Sequence, residues 1–470
     1  MLDIHLPRKP FANGTAFLLF LTYSILVPVS IHWLTKGELG YFFFAIDDPW
    51  LRLCLTLLHL YVSLRLAGLS SAADVPWMRF PFYAFVYVWI SAAPSVQFAE
   101  GLRPWGVYLT DNNYLYTLFV IFVGIIAYEG GNTLAKKTSR PPAVWLNSPS
   151  YRTQQLIVLT LFGVSTVVTV IAITGISGLL GSRGDAGNAF QELGSGNQAR
   201  LVLGSLLRAP ILVAVFSLLY LAFSGGWRKI PYFRVLLLVA LVAFVVANFP
   251  TAVSRGWLGA ILVGILSIYA FAKRRNVYRL LGLPMIGGFL FVYPLMVFRS
   301  SVSINPGRIM EPTVYADGDF DVLQLASIIV NYTDSFGLTW GRQLLGPLLF
   351  WVPRSAWPDK PVGTGAHVAE NTGMSFTNVS APLWAEGYIN FGLLGTIVLL
   401  LLYGYFSRKW EMGLNSGTMN LRIAVVASFF SGFQVFALRG DLMTSATFSL
   451  PVLIIAVLFL KQRGAPQRDA

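Results

Sequence analysis

Long apolar stretches recur along this chain, and they constrain its fold more than any other feature of the sequence. A helix of about 20 residues rises about 30 Å, which is the thickness of a membrane's hydrocarbon core. Hydrophobic residues make up 55% of the 470 positions and charged residues only 12%, too few to cover soluble domains. We therefore predict an all-α, polytopic integral membrane protein in which residues 1–470 form a single membrane domain. The predicted spans, about twelve in number, lie near residues 15–34, 50–69, 80–98, 114–134, 154–174, 201–223, 233–252, 256–272, 279–299, 387–406, 420–438 and 444–460.

The basic residues predict the orientation of these spans, because cytoplasmic loops of membrane proteins retain Lys and Arg. With the N-terminus inside, 21 of the 34 basic residues and 5 of the 21 acidic residues fall on the inner side. The inner side then carries a net charge of +16 and the outer side −3, which agrees with +13 for the whole chain. We predict that both termini are cytoplasmic. Because the positive charge is spread over short inner loops, it argues for this topology and against nucleic-acid binding.

Two predicted outer loops are longer than a connection between spans requires. The smaller, residues 175–200, is rich in glycine and contains Arg183 and Asp185. The larger, residues 300–386, contains a helix-like stretch over residues 321–332 and an apolar piece over residues 343–352. That piece is too short to span a membrane, so we expect it to lie at the interface or to dip in and return. The larger loop is where we expect the active site.

The densest group of functional candidates lies in residues 351–365 of the larger loop. Prolines fix the path of this segment and glycines permit close backbone approach, so Arg354, Asp359 and Lys360 sit on a stiff loop that can bind an anion. The alternative is an interfacial loop whose cations contact lipid phosphates and whose tryptophans anchor at headgroup level. We favour the functional interpretation, because anchoring does not require so constrained a backbone.

Further cations fall on the outer side, inside or beside predicted spans: Arg208, Arg255 and Arg439. A lipid-facing charge at the depth of Arg208 costs about 3 kcal/mol, so we expect this side chain to face the bundle. Arg255 opens a helix whose free amides would reinforce an anion site. Snorkelling to headgroups, or a buried ion pair such as Arg439 with Asp441, is the alternative for each arginine.

Candidate proton acceptors on the same side are His367, Glu386, Asp441 and the acidic run over residues 317–321. Histidine titrates near neutral pH, and a carboxylate can serve once burial raises its pKa. The acidic run, with Asp319 and Asp321, could bind a divalent ion, but we favour a helix cap because acidic residues commonly precede helices. No metal-ligand spacing occurs among the histidines, so we predict no bound metal.

The order of these features resembles the O-antigen polymerase family, also called oligosaccharide repeat-unit polymerases, which are related to the O-antigen ligases. The segments that carry the resemblance are residues 254–256 (Ser-Arg-Gly), 318–321 (Gly-Asp-Phe-Asp), the run from Gly341 through 353–361 (Pro-Arg-Ser-Ala-Trp-Pro-Asp-Lys-Pro), 380–382 (Ser-Ala-Pro), 386–392 (Glu-Gly-Tyr-Ile-Asn-Phe-Gly) and 439–441 (Arg-Gly-Asp). They cover the second half of the chain, whereas the first half matches only in hydropathy and number of spans.

The resemblance implies an enzyme of the bacterial inner membrane that transfers a growing polysaccharide from undecaprenyl diphosphate to the terminal sugar of a new lipid-linked repeat unit. A chain-length regulator protein is a further expected partner. Because the family's donor is already activated as a diphosphate, the resemblance implies no cofactor, neither a nucleotide nor a metal. The implied diphosphate clamp consists of Arg354, Arg255 and Arg439, assisted by Arg208 and Lys360, because guanidinium forks match phosphate oxygens. The expected base is His367 first and Glu386 second. The expected sugar contacts are Trp351, Trp357, Trp384, Asp319, Asp321 and Asp441.

Two other functions remain open on the sequence. An O-antigen ligase would use the same donor and deliver its polysaccharide to lipid A core, although the 353–361 run favours the polymerase. A transporter or flippase of lipid-linked sugars would place ionisable residues near the middle of the membrane and show internal repeats.

Overall fold

The structure, a computed structural model, describes residues 14–138, 153–180, 197–273, 275–292, 311–316, 318–352, 354–374, 376–416 and 420–460. Within these ranges all regular structure is helical, and ten helices are long and apolar enough to cross a membrane. The two other predicted spans correspond to shorter apolar helices, Phe233–Ala247 and Tyr278–Phe291. The all-α polytopic architecture is thereby confirmed, whereas a count of twelve spans stays a prediction.

The helices are labelled here in chain order. They are α1 (Gly14–Lys36), α2 (Pro49–Ser70), α3 (Arg79–Ala99), α4 (Asp111–Thr138), α5 (Thr153–Thr174), α6 (Asn197–Ser224), α7 (Phe233–Ala247), α8 (Arg255–Lys273), α9 (Tyr278–Phe291), α10 (Val322–Phe336), α11 (Arg342–Leu348), α12 (Thr364–Thr372), α13 (Leu383–Ser416), α14 (Leu421–Arg439) and α15 (Leu442–Phe459). Most of the predicted 175–200 loop, with Arg183 and Asp185, lies outside the described residues. So do residues 300–310, Asp317 and Pro353 of the larger loop.

The chain forms two compact units. The first unit consists of Met1–Ser139, Asn276–Glu411 and Ala437–Met443. It contains α1 to α4, α9 to α12 and most of α13, so the described part of the larger loop belongs to it. The second unit consists of Arg140–Arg275, Met412–Phe436 and Thr444–Ala470.

Glycines bring α4 and α13 into close contact in the first unit. A side chain at Gly131 would collide with the backbone of Leu401 and Tyr405, and one at Gly404 would collide with the carbonyl of Tyr128. Small residues of this kind let helices pack backbone to backbone inside a membrane, where dispersion contacts replace the hydrophobic driving force. The two helices therefore approach each other too closely for any larger residue at these positions.

Helix α13 is broken near its start, which the apolar pattern did not reveal. Phe391 and Gly392 have non-helical dihedral angles, and Gly392 lies in the left-handed region at φ 62°. The hydroxyl of Thr396 donates to the carbonyl of Trp384 at 3.0 Å, although residues twelve apart in a straight helix are about 18 Å apart. Residues 383–390 thus fold back against the start of residues 393–416. The long apolar helix begins only after the break, and the predicted span at 387–406 is wrong at its start.

The described part of the larger loop is a packed structure rather than an open connection. Helix α10 is buried along most of its length and packs its apolar residues against α12 and the short helix of residues 383–390. The shared core consists of Leu325, Ala326, Ile328, Ile329, Tyr332, Val368, Ala369, Val379, Ala381, Ala385 and Ile389. The helix-like stretch predicted from residue 321 is confirmed and extends to Phe336.

The second unit uses the same kind of close helix contact. Gly163 of α5 faces the backbone of Ile211 in α6, where a side chain would collide. Gly432 of α14 likewise faces the backbone of Ala260 and Gly264 in α8. Small residues thus set the helix spacing in this unit as well.

Candidate functional site

Arg439, the last residue of α14, joins the end of that helix to the acidic run before α10. Its Nη2 lies 3.2 Å from Oδ1 of Asp321 and 3.9 Å from Oδ1 of Asp319, and it also donates to the carbonyl of Gly318. The indole N–H of Trp105 donates to Oδ2 of Asp321 at 2.9 Å. Each oxygen of the buried Asp321 carboxylate therefore has a donor, and one guanidinium lies between two carboxylates.

The helix cap predicted for Asp321 is wrong. Asp321 occupies the N-cap position of α10, but its side chain makes no capping hydrogen bond, because it is directed to Arg439 and Trp105 instead. Burial raises the pKa of Asp321 from 3.8 to about 6, and the neighbouring Arg439 opposes that rise. Arg439 forms ion pairs with Asp319 and Asp321, two partners that its neighbours in the sequence do not reveal.

Glu386 lies on the short helix that precedes the break in α13 and is 1% exposed. The hydroxyl of Thr364 donates to its Oε2 at 2.8 Å, and the backbone N–H of Leu442 donates to its Oε1 at 2.9 Å. Leu442 is the first residue of α15, so the carboxylate occupies the positive end of that helix, where it is favoured. Glu386 thereby links the starts of two helices, α12 and α15.

Asp441 lies beside the same junction. A side chain at Gly363 would come within 2.6 Å of Oδ2 of Asp441, so only glycine leaves room for the carboxylate there. Gly363 immediately precedes Thr364, the residue that donates to Glu386. The two carboxylates, Glu386 and Asp441, therefore flank the first turn of α12.

His367 lies one turn further along α12. Its Nε2 is 3.2 Å from the hydroxyl of Tyr332, and the Nδ2 amide of Asn371 donates toward its Nδ1 at 3.4 Å. A donor at Nδ1 favours the neutral tautomer with the proton on Nε2. Burial lowers the pKa of His367, the nearby Arg342 lowers it further, and Glu370 opposes the change. The imidazole is therefore neutral near pH 7 and able to accept a proton.

The proline-rich segment after α11 is a hairpin held by its own cations. The Nζ of Lys360 donates to the carbonyls of Phe350 and Val352 at 2.5 and 3.0 Å. Arg354 donates to the carbonyl of Lys360 at 2.9 Å, and Arg342 donates to that of Asp359 at 3.3 Å. The prolines keep this segment out of regular secondary structure, so its carbonyls have no partners in a helix or strand. The side-chain bonds satisfy these carbonyls instead. The rigidity predicted for this segment thus has a direct cause.

Lys360 and Arg354 differ in what they offer a ligand. Lys360 is buried and its ammonium is turned into the hairpin, which contradicts its predicted contact with a diphosphate. Arg354 is exposed, and its Nη1 donates to the hairpin carbonyls of Pro358 and Lys360. Its role as a phosphate ligand stays a prediction compatible with this geometry.

The three tryptophans proposed to stack on sugars lie in different surroundings. Trp384 is 1% exposed and stacks between Phe82 and Phe85, with Gly124 leaving space for its ring. The predicted sugar contact of Trp384 is therefore wrong, because its ring is part of the core. Trp351 is exposed and Trp357 is partly buried, so both stay candidates.

Arg208 and Arg255 belong to the second unit. Arg208 donates to the carbonyl of Ala247 on α7 at 2.9 Å and to that of Gly204 at 3.3 Å, as expected for a charge directed into its bundle. Arg255 is the first residue of α8, and Ser254 beside it accepts the N–H of Trp257 at 3.3 Å. Their predicted participation in a diphosphate clamp stays a prediction.

Three residues of this region were missed by the sequence analysis: Thr364, Tyr332 and Arg342. Thr364 and His367 are three positions apart, which places both on one face of a helix and could have been noticed. Tyr332 meets His367 across 35 positions of chain and gives no local signal. Arg342 offers no local signal beyond its positive charge.

Comparison of the chain with protein-family models, curated proteins and solved structures found no significant match.

Proposed function

We propose that this chain is a membrane glycosyltransferase that polymerises lipid-linked oligosaccharide repeat units on the outer face of a bacterial inner membrane. The observation that carries the proposal is the arrangement around α12. This one short helix places His367 one turn from Thr364, which holds Glu386, within a segment between membrane spans. A proton acceptor and a fixed carboxylate beside a stiff cationic hairpin suit a transfer from a diphosphate donor to a hydroxyl.

In the proposed reaction, the acceptor sugar hydroxyl attacks the anomeric carbon of the donor sugar. The new bond joins that carbon to the acceptor oxygen, and the bond from the carbon to the diphosphate oxygen breaks. The electron pair of the broken bond leaves with the undecaprenyl diphosphate, and the acceptor proton passes to His367. His367 is preferred as the base because it is less buried than Glu386 and its imidazole is neutral near pH 7, whereas Glu386 is enclosed by the starts of α12 and α15. Glu386 then fixes the position of α12 through Thr364.

The leaving diphosphate gathers negative charge as its bond breaks, and oriented cations stabilise that charge. Arg354 is the first candidate, because it is exposed on the hairpin and its backbone contacts restrict where the guanidinium can point. Arg342 is an additional candidate, because it is exposed and lies close enough to affect His367. Arg439 already forms ion pairs with two carboxylates. It therefore suits the role of stabilising the acidic run better than the role of a phosphate ligand.

One observation favours the alternative of a transporter of lipid-linked sugars. Arg65 of α2 and Glu129 of α4 form a largely buried ion pair inside two of the apolar helices, and the hydroxyl of Tyr83 donates to the same carboxylate. Ionisable residues within spans commonly mark transport pathways. The ligase alternative shares the proposed donor chemistry.

A deletion strain distinguishes the three functions through its surface polysaccharide and its lipid-linked intermediates. Loss of a polymerase leaves single repeat units attached to lipid A core or to the cell surface. Loss of a ligase leaves no repeats on the core, and loss of a flippase leaves lipid-linked repeats confined to the inner leaflet. Single repeats that become a ladder when the gene is restored would support the proposal, and either of the other patterns would overturn it.

A further inference from the structure

Helix α11 has one face packed on the protein and one face exposed. Gln343 and Gly346 are buried, and Gly346 lies against the terminal methyl of Met443 and the ring of Pro361. The exposed positions follow a helical stripe at residues 342, 345, 348 and 349, which are Arg, Leu, Leu and Leu. An exposed apolar stripe with a cation at its start is typical of a helix that lies in a membrane interface.

Aromatic residues border this stripe at both ends. Trp340 precedes α11 and is 75% exposed, and Trp351 follows it and is 64% exposed. Tryptophans gather at the level of lipid headgroups because one ring edge is polar and the body is apolar. The exposed Arg342 and Arg354 stand near the same two ends, where they could pair with lipid phosphates.

The stripe continues an exposed apolar surface on the adjacent membrane helix. Beyond its break, α13 exposes four apolar residues at every fourth position, Leu394, Val398, Leu402 and Phe406. This pattern is that of a helix face directed toward lipid. Phe391, also exposed, lies against Gly341 at the start of α11, so the two exposed surfaces meet.

The position of α11 relative to this surface is fixed at both ends. Before the helix, the backbone N–H of Thr339 donates to the carbonyl of Ile389 at 2.9 Å, and its hydroxyl donates to Asn390 at 3.0 Å. After the helix, Lys360 holds the carbonyls of Phe350 and Val352. The exposed leucines are therefore held in place beside the end of the membrane helix rather than free to turn inward.

We propose that the exposed face of α11, formed by Leu345, Leu348 and Leu349 with Trp340 and Trp351, docks on the lipid bilayer that α13 crosses. This face contacts the region of the bilayer where the lipid headgroups meet the acyl chains. The continuity with the lipid-facing surface of α13 favours lipid over a protein partner. This placement corresponds to the interfacial alternative for residues 343–352 and not to a segment that dips in and returns. This inference is independent of the chemistry that the loop performs.

Site-directed spin labelling measures the depth of these residues directly. In a Cys54→Ala background, Leu345→Cys and Leu348→Cys carry a nitroxide in full-length protein reconstituted into vesicles of phosphatidylethanolamine and phosphatidylglycerol. Leu394→Cys serves as the lipid-exposed reference and Ser355→Cys, exposed in the same hairpin, as the water-exposed control. Collision rates are measured with oxygen, which concentrates in lipid, and with a water-soluble nickel chelate.

At both leucine positions we expect an oxygen-to-nickel ratio about tenfold above that of Ser355→Cys and close to that of Leu394→Cys, since interfacial helices bury their apolar face about 5–10 Å deep. A nickel-dominated response there would overturn the proposal by placing the leucines in water. Low access to both reagents would overturn it in favour of a protein partner or a second copy. Leu349→Cys repeats the measurement if either label disturbs folding, which size-exclusion chromatography of each variant checks beforehand.

Discussion

Thr364 donates its hydroxyl hydrogen to Oε2 of Glu386 at 2.8 Å, across 22 positions of chain and in a buried environment. The bond joins the first residue of α12 to the short helix that precedes the break in α13. Because α12 also carries His367, this contact contributes to the position of the proposed base. The relationship makes Glu386 a positioning residue that can be tested apart from the base.

Replacing Thr364 by valine preserves shape and removes the hydroxyl, which leaves a buried carboxylate oxygen without its donor. An unsatisfied buried group typically costs about 1–3 kcal/mol, and more when it is charged. We expect Thr364→Val to lower the melting temperature in detergent and to lower the polymerisation rate. Thr364→Ser should retain most of both.

The control for loss of a hydroxyl on α12 is Thr372→Val at the other end of the helix, an exposed residue whose hydroxyl donates to the carbonyl of Val368. It should change the melting temperature less than Thr364→Val does. Equal effects of the two variants would mean that the bond to Glu386 has no special role.

Asp321 predicts a specific dependence of stability on pH. Burial raises its folded-state pKa from 3.8 to about 6, so the folded protein binds a proton that the unfolded chain releases between these values. Protonation of Asp321 therefore stabilises the folded protein below about pH 4. This stabilisation, about 3 kcal/mol for a pKa shift of about two units, is lost as the pH rises to 6. Asn at this position does not titrate.

The test measures the melting temperatures of wild type and Asp321→Asn from pH 4 to pH 7, at constant ionic strength, and follows their difference. The variant should gain stability relative to wild type as the pH rises through this window and remain level above it. A difference that is flat, or that changes in the opposite direction, would show that the carboxylate is ionised in the folded protein throughout.

Much of the helical architecture could be predicted from the sequence, because apolar length alone defines a span. The break at Gly392 could not, since residues 387–406 read as one continuous apolar stretch and only the tertiary bond from Thr396 to Trp384 reveals the reversal. The helix Phe233–Ala247 shows the same limit, because the predicted span at 233–252 extends beyond the regular helix, which ends at Ala247.

The candidate site was predictable in its residue types more than in its contacts. The stiffness of the proline-rich segment could be predicted from local composition, but the carbonyls that bind Lys360 depend on how the hairpin closes. Trp384 was misassigned because nothing local distinguishes a tryptophan in a loop from one that enters the core beside Gly124. The ion pair between Asp321 and Arg439 joins residues 118 positions apart, and no sequence spacing encodes it.

The topology prediction can be tested at an exposed position of the hairpin. In a Cys54→Ala background, we expect Ser355→Cys to react with a membrane-impermeant maleimide in intact spheroplasts, because the inner side carries the basic excess. Ser224→Cys, exposed at the end of α6, should react only after lysis. The reverse pattern would invert the topology and place the candidate site in the cytoplasm.

If His367 is the base, polymerisation should fall as the imidazole becomes protonated. Its pKa lies below the ordinary value of 6.5 because of burial and the neighbouring Arg342, so the acid limb of the rate profile should have its midpoint below 6.5. His367→Gln should lower the rate by about a hundred- to ten-thousandfold, the usual contribution of a general base. His32→Gln, which replaces a histidine whose Nδ1 contacts the carbonyl of Glu38, is the control. If His367→Gln retained the full rate, another group would have to be the base.

The sharpest prediction concerns Arg354 and the leaving diphosphate. Removing one oriented donor to developing charge typically costs about 3–4 kcal/mol, or about a hundred- to a thousandfold in rate. Arg354→Ala should therefore abolish visible polymer, and Arg354→Lys, which keeps the charge but loses the planar fork, should restore it only in part.

Arg354 also bonds to the carbonyls of Lys360 and Pro358, so loss of hairpin order is the competing explanation. Lys360→Met removes the bonds to the carbonyls of Phe350 and Val352, and because Lys360 is buried and turned into the hairpin, this variant serves as the control for hairpin order. If both variants reach wild-type levels in the membrane and only Arg354→Ala loses its ladder, the loss reflects charge stabilisation. Normal laddering from well-expressed Arg354→Ala would exclude that role and leave Arg354 as a structural residue of the hairpin.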